Sequence, residues 1–213
     1  AQAMKTAARN DPGYVRHLFD QFSADYDTRM IGQLGYAAPQ ILLGLAEMVM
    51  PGREQLSILD LGCGTGLAGL AFRPLATRLD GVDLSPAMIE KARTRGIYDH
   101  LDVADLESAL AAPGPAYDLI LAADTLVYLG DLSAVFGGAA ARLVPDGYFL
   151  FTVEANSQDG FALGPKRRWR HGEAYLRGTA AAAGLAVAGF VAAQPRSEAN
   201  LPVEGFAVAL RRS

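Results

Sequence analysis

The stretch ILDLGCGTGLAGL, residues 58–70, indicates how this chain folds. An apolar run carrying one acid, Asp60, leads into a glycine-rich turn and then into an apolar segment that begins a helix. Glycine adopts backbone conformations that other residues avoid, so bare N–H groups can approach a ligand closely beside a helix N-terminus. The stretch therefore predicts a buried strand, a tight turn and a helix that together hold a nucleotide-like ligand.

Strand and helix patterns alternate on both sides of this stretch. Strands are predicted at residues 56–61, 78–83, 101–104, 117–123 and 148–154, and helices at 66–75, 86–95, 132–143 and 172–183. Residues 111–116 and 155–170 are predicted to be loops. Alternating units of this kind predict a mostly parallel sheet wrapped by helices on both faces. Two final β runs, 185–193 and 203–210, leave no room for a helix between them, which predicts an antiparallel hairpin and hence a mixed, seven-stranded α/β sheet.

Two helices are predicted before the first strand. Asp11 and Pro12 have the residue types of a helix cap and first helical position, and Pro39 opens a second helix. We expect residues 1–52 to form a helical segment that caps one compact domain at residues 53–213.

Composition narrows the classes of function. The 213 residues are 51% hydrophobic and 20% charged, which suits one globular domain, and the net charge of −4 argues against a nucleic-acid partner. Cys63 is the only cysteine, which excludes an internal disulfide and a cysteine-based zinc site and predicts a reducing, cytoplasmic setting. No metal site is expected. Apolar runs are too short for a membrane span, and the first residues lack the apolar region of a signal peptide.

The glycines alone favour a dinucleotide. Gly64, Gly66 and Gly69 form a GxGxxG pattern after a strand, and Asp83 follows Gly64 by 19 positions, as an acid that binds a ribose would. An NAD-linked oxidoreductase is therefore one hypothesis.

Three features argue against NAD. Asp60 would repel a pyrophosphate in a poorly solvated crevice, and it suits a ligand with cationic or amine character instead. The glycines at 62, 64 and 66 alternate more tightly than in the dinucleotide pattern. A second acid, Asp105, follows the third strand, where a ligand base could be recognised.

Five segments in order resemble the successive motifs of class I S-adenosylmethionine-dependent methyltransferases: ILDLGCGTGLAGL, GVDLSPAMIEKAR, DVADL, YDLILAADTLVYL and LVPDGYFLFTVE, over about residues 56–154. The final hairpin resembles that family's reversed seventh strand, which implies a Rossmann-like fold. VRHLFDQFSADYD and RHGEAYLRGTAAAAGL are similar to bacterial methyltransferase domains that follow tetratricopeptide repeats. AQAMKTAARNDP resembles the closing helix of such a repeat, which implies a preceding repeat domain in a longer chain.

The resemblance implies S-adenosylmethionine, or S-adenosylhomocysteine as product, and a set of cofactor contacts. Backbone at Gly62, Cys63 and Gly64 should pass the methionyl and ribose groups, and Asp60 should orient that loop or meet the cofactor's amino group. Asp83 should accept from the ribose hydroxyls, and Asp105 from the adenine amino group. The remaining contacts are expected from apolar neighbours of these residues: Leu84 and Met88 on the adenine, Ala104 and Leu106 beside Asp105, and Ala122 along the methionine tail.

The methyl acceptor should meet the cap and the loops after the fourth and fifth strands. Methyl transfer from a sulfonium needs positioning and desolvation of the acceptor, and a general base only where the acceptor must lose a proton. Tyr26, Asp124 and Tyr128 are candidate catalytic residues, and His171 is the candidate base. Further candidates for the acceptor site are Tyr36, Glu154, Arg168, Arg170 and Tyr175.

The acceptor could be a small molecule or a peptide. The basic run from Lys166 to Arg170 could recognise an acidic acceptor or could be a solvated loop. A non-catalytic module that binds the cofactor or a partner is the third hypothesis. The oligomeric state cannot be read from the sequence.

Overall fold

A twisted mixed β-sheet forms the centre of the protein, in a computed structural model that describes residues 8–33, 35–198 and 201–213. The strands are β1 (Leu56–Leu61), β2 (Ala76–Asp83), β3 (His100–Val103), β4 (Tyr117–Ala122), β5 (Leu143–Ala155), β6 (Phe161–Leu163), β7 (Trp169–His171), β8 (Leu185–Ala193), β9 (Ser197–Glu198), β10 (Leu201–Pro202) and β11 (Gly205–Arg212). The α-helices are α1 (Pro12–Phe22), α2 (Ala38–Val49), α3 (Leu67–Phe72), α4 (Pro86–Thr94), α5 (Leu106–Ala111), α6 (Ser133–Arg142) and α7 (Glu173–Ala182).

The main sheet has the strand order β3-β2-β1-β4-β5-β11-β8. Strands β1 to β5 pair in parallel, whereas β11 is antiparallel to both β5 and β8. The predicted seven-stranded mixed sheet with a terminal antiparallel hairpin is confirmed. The chain reverses its strand order between β1 and β4, and such a point opens a crevice at the carboxyl ends of the strands.

The central strands β1, β4 and β5 are buried on both faces of the sheet, which explains their near-continuous apolar sequences. Along β5, Phe149, Phe151 and Val153 pack on one face with α6 and α7. Tyr148 and Leu150 point to the other face, where α2 and α3 pack. Residue alternation in β5 therefore contributes to two hydrophobic cores at once.

The two helices before β1 have different roles. Asp11 caps α1 as predicted, since its Oδ1 accepts from the backbone N–H of Tyr14 at 2.8 Å. Helix α1 buries little of its own surface and lies over the carboxyl ends of the strands. Helix α2 packs Leu42 and Leu45 into the core against the sheet. Of the predicted helical cap, α1 therefore lies over the strand ends, while α2 is part of the layered domain.

Three short elements were not predicted. Helix α5 precedes the predicted loop at 111–116 and overlaps it only at Ala111, and most of the β6–β7 antiparallel pair lies in the predicted loop at 155–170, with β7 ending at His171. Three- and six-residue elements are too short for hydrophobic periodicity to identify. The pairing of β7 with β5 brings the basic run of residues 166–170 toward the end of β5.

Candidate active site

The turn after β1 exposes backbone toward the crevice. Gly62, Gly64 and Gly66 all have positive φ, at 68°, 54° and 95°. A Cβ on Gly62 would lie 2.3 Å from Thr125 Cγ2, so a side chain cannot fit there. The turn is fixed by the Gly62 and Cys63 amides, which donate to the Val82 carbonyl at 2.7 and 3.0 Å. This glycine cradle allows a ligand to contact the main chain.

Asp83 links the cradle to β2. Its Oδ2 accepts from the Gly64 N–H at 2.9 Å and its Oδ1 from the Ser85 N–H at 2.8 Å. The residue is only 9% exposed, and burial is the main reason that the pKa of Asp83 is raised to about 6. Leu84 lies beside it at the same edge, whereas Met88 is fully buried and does not line the crevice.

A small cavity of about 70 Å³, the cofactor cleft, lies between the cradle, the strand ends and α1. It is bounded by residues from six segments: Arg9, Asn10, Pro12, Val15, Phe19, Tyr26, Gly62, Asp83, Leu84, Asp105, Leu106, Ala123, Asp124, Thr125, Tyr128 and Leu129. Ala122 is buried behind it in β4, one residue before Ala123. Ala104 packs against the core and does not line the cleft.

Asp105 is held by Arg9, a residue that sequence analysis did not identify. The Asp105 carboxylate caps α5 and forms an ion pair with the Arg9 guanidinium, which also pairs with Glu107. Although burial alone would raise the pKa of Asp105, the contact with Arg9 lowers it. Main-chain hydrogen bonds fix this segment, from Asn10 N–H to the Tyr128 carbonyl at 2.9 Å and from Asp131 N–H to the Ala8 carbonyl at 3.0 Å. Arg9 thus lies where the adenine amino group is predicted to bind, and nothing around it in the sequence signals this position.

Asp60 lies behind the cradle, outside the cleft. Its Oδ2 accepts from the Tyr98 hydroxyl at 2.7 Å, and its Oδ1 is buried without a hydrogen-bond partner. Burial is the main cause that raises the pKa of Asp60 to about 6. A Cβ on Gly69 would lie 2.1 Å from the Tyr98 hydroxyl oxygen, so this glycine makes room for the tyrosine. Asp60 can orient the turn from below, but the structure does not bring it to the cleft to meet an amino group.

The predicted acceptor residues Tyr26, Asp124 and Tyr128 separate the cleft from a larger cavity. This acceptor cavity has a volume of about 440 Å³ and is lined by Tyr14, Leu18, Phe19, Phe22, Tyr26, Met30, Asp124, Tyr128, Lys166, Arg167 and Arg168. Asp124 has a positive φ of 54°, in the left-handed region that non-glycine residues seldom adopt. Burial is the main cause that raises the pKa of Tyr26 and of Tyr128, so both phenols stay protonated near neutral pH.

A buried arginine supports this wall. The Arg196 side chain has no exposed surface and forms ion pairs with Asp124, Glu154 and Glu198. Arg168 and Arg170 approach Glu154 at 3.8 and 3.5 Å, so these three predicted residues do lie together. Arg196 was missed because its loop, between the two final β runs, shows no pattern that marks a buried charge.

His171 does not reach either cavity. It is fully buried, its Nε2 donates to the Gly130 carbonyl at 3.1 Å, and its ring stacks on Tyr175 with centroids 5.9 Å apart. Burial lowers the pKa of His171 to about 4. The Tyr175 hydroxyl accepts from the Leu132 N–H at 2.7 Å. Both residues hold the segment after β4 in place, so the structure argues against His171 as a base for an acceptor.

Tyr36 and Cys63 lie outside both cavities and contribute to the fold rather than to a binding surface. The Tyr36 hydroxyl donates to the Ala123 carbonyl at 3.3 Å and lines neither cavity. Cys63 is buried, and burial raises the pKa of its thiol, which makes it a poor nucleophile.

Within the described part of the chain, no group of three or more metal-ligating side chains forms, and no helix is long and apolar enough to cross a membrane.

Residues 9–184 match the family model described as a methyltransferase domain. The chain belongs to the methyltransferase domain family. This domain is 35% identical over 108 residues to methyltransferase-like protein 27 of Homo sapiens, covering 49% of this chain and 44% of that protein. It is 31% identical over 141 residues to malonyl-(acyl-carrier protein) O-methyltransferase of Serratia marcescens, covering 66% of this chain and 52% of that protein.

The fold of this methyltransferase domain is shared with solved structures. Magnesium protoporphyrin IX methyltransferase from Synechocystis PCC 6803, solved with bound S-adenosylhomocysteine, superposes with a TM-score of 0.74. The two are 18% identical, and the match covers 96% of this chain and 100% of that one. The chain spans about half the length of the curated relatives that it matches.

Proposed function

We propose that this domain binds S-adenosylmethionine in the cofactor cleft and transfers its methyl group to a small molecule in the acceptor cavity. The observation that carries the proposal is that Gly62 of the glycine cradle, Asp83 and Asp105 line one cleft. The inner wall of this cleft is also a wall of the acceptor cavity. When bound, S-adenosylmethionine supplies an electrophilic methyl group on a sulfonium.

The residues present fit this cofactor. Asp83 keeps lone pairs beyond those used by Gly64 and Ser85, so its carboxylate can accept from ribose hydroxyls. The bare main chain of Gly62 and Gly64 leaves room for the sulfur-bearing chain. Asp105 can accept from the adenine amino group once Arg9 turns away or shares the carboxylate, and Leu84 and Leu106 offer apolar contact to the ring.

At the acceptor end, this chain's part is to position and desolvate. Tyr26 and Tyr128 lie between the two cavities, where their rings can align an acceptor with the methyl group and exclude water. Asp124 lies on the same wall between the two cavities, and its position is fixed because its carboxylate pairs with Arg196. An acceptor cavity of about 440 Å³ favours a small molecule over a folded protein surface.

The NAD hypothesis loses its main support. Gly69, the last glycine of the GxGxxG pattern, contacts Tyr98 and does not face the cleft.

A preceding repeat domain stays a prediction. Residues 1–7 of AQAMKTAARNDP lie outside the described residues, and residues 8–10 are not helical, with Arg9 in an isolated β-bridge to Leu129. A reducing, cytoplasmic setting also stays a prediction.

Isothermal titration calorimetry with S-adenosylhomocysteine and with NADH tests the proposal. We expect the first to bind at micromolar concentrations and the second not to bind. Absence of heat with S-adenosylhomocysteine at about 1 mM would overturn the proposed cofactor. Release of S-adenosylhomocysteine in the presence of an acceptor then separates an enzyme from a non-catalytic binding module.

A further inference from the structure

The acceptor cavity has an apolar wall built from aromatic rings. The Phe19 ring meets the Tyr128 ring edge-on with centroids 5.5 Å apart, and it meets the Tyr26 ring at 6.2 Å. Leu18 and Met30 extend this wall. Such a surface suits the hydrocarbon or aromatic body of a ligand.

The opposite rim is a basic loop with a strained backbone. Lys166 and Arg167 both have φ of 57°, which is rare for non-glycine residues and rarer still in succession. The loop is fixed at Arg167, because its carbonyl accepts from Asn10 Nδ2 at 2.7 Å and its guanidinium lies 4.8 Å from the centroid of the Tyr14 ring. These two contacts hold the Arg167 guanidinium at the edge of the acceptor cavity.

The basic side chains in and behind this rim differ in whether an acidic side chain pairs with them. Lys166 and Arg168 pair with Glu198, and the buried Arg196 pairs with Asp124 and Glu154. Arg167 forms no ion pair with any residue that the structure describes. Arg167 is therefore the cation at this rim that no acidic residue of the described chain neutralises, and its planar donors match a carboxylate.

The chemistry of the cavity favours an acceptor that needs no base. Asp124 is committed to Arg196, the phenols of Tyr26 and Tyr128 stay protonated, and His171 lies elsewhere. A carboxylate acceptor needs no deprotonation step. Its oxygen forms a bond to the methyl carbon while the carbon–sulfur bond breaks, and the electron pair of that bond goes to sulfur. The negative carboxylate and the positive sulfonium become a neutral ester and a neutral thioether, and no proton moves.

We infer that the acceptor is an organic acid with an apolar body, bound with that body on the wall of Phe19 and Tyr128 and with its negative charge recognised by Arg167. This inference rests on the proposed function. An acceptor with a single carboxylate would have to release that group from Arg167 before it reacts with the methyl group. An acceptor with two carboxylates could keep one on Arg167 while the other reacts.

A matched pair of probes tests the charge requirement. The affinities of benzoate, 4-phenylbutyrate and octanoate are measured against those of their amides by calorimetry, with S-adenosylhomocysteine saturating. We expect at least one acid to bind about tenfold or more tightly than its amide, the range of a charge-assisted hydrogen bond. In Arg167→Gln this preference should disappear, while Arg93→Gln, an exposed arginine on α4, should retain it.

Three results would overturn the inference: equal affinity of acid and amide, an unchanged preference in Arg167→Gln, or no binding of any acid at about 5 mM. Binding of S-adenosylhomocysteine is measured first on the same samples. Its failure would refute the proposed function, whereas loss of the acid preference alone would refute only the acceptor class. Unfolding curves of both variants show whether the fold is retained.

Discussion

Replacing Asp83 with asparagine should weaken cofactor binding without unfolding the protein. The carboxylate accepts from the Gly64 and Ser85 amides at 2.9 and 2.8 Å and faces the cleft where the ribose is proposed to lie. Asparagine has the same shape but only one acceptor oxygen, so it cannot serve both amides and a ribose hydroxyl. A hydrogen bond to a charged group contributes about 1.5–3 kcal/mol, which predicts a roughly 10- to 150-fold higher Kd for S-adenosylhomocysteine.

Isothermal titration calorimetry at pH 8 measures this change, because Asp83, with a pKa of about 6, is then ionised. Asp102→Asn is the matched control, since Asp102 lies exposed on the neighbouring strand β3 and outside the cleft. Its affinity should equal that of the wild type. If Asp83→Asn binds as tightly as the control, the ribose is not held by Asp83 and the placement of the cofactor is wrong.

Three further substitutions test the groups around the cleft. Burial raises the pKa of Asp60 from 3.8 to about 6 and so favours its protonated form, which predicts that the wild type loses about 3 kcal/mol of stability as pH rises from about 3 to about 7. Asp60→Asn should abolish this loss, and urea unfolding across this pH range measures it. His171→Gln should abolish an opposite loss of about 3 kcal/mol as pH falls from 6.5 to about 4, and should leave affinity for S-adenosylhomocysteine unchanged; a large drop in affinity would return His171 to the site. Arg196→Met should cost about 3–5 kcal/mol in urea unfolding, because Asp124 and Glu154 lose their buried partner, and neutralising both acids as well should restore most of it.

The sequence predicts the sheet well because its signals are local. Each parallel strand is a short apolar run bounded by turn residues, and the order of βα units limits how the strands can be arranged. Helix α5 and strands β6 and β7 were missed because they are too short for a period to show. Their positions depend on tertiary contacts, such as the pairing of β7 with β5.

The cofactor cleft could be predicted only in part. Gly62 follows β1 directly, Gly64 lies two residues further along, and Asp83 is the last residue of β2, so their positions near the crevice follow from the fold. The positions of Arg9 and Arg196 come from contacts across 96 and 72 residues of chain, which no local pattern encodes. His171 was placed at the strand edge by its sequence position, but the β6–β7 pair and Tyr175 bury it.

The placement of the cofactor is decided by a crystal structure of the protein with S-adenosylhomocysteine. We expect the ligand in the cleft between α1 and the turn at Gly62–Gly64, with its ribose hydroxyls on Asp83 and its adenine beside Asp105. Arg9 should be displaced from the Asp105 carboxylate or share it. The sulfur should face Tyr26 and Tyr128. A complex with the ligand elsewhere, or with its ribose away from Asp83, would refute both the cofactor cleft and the role of Asp83.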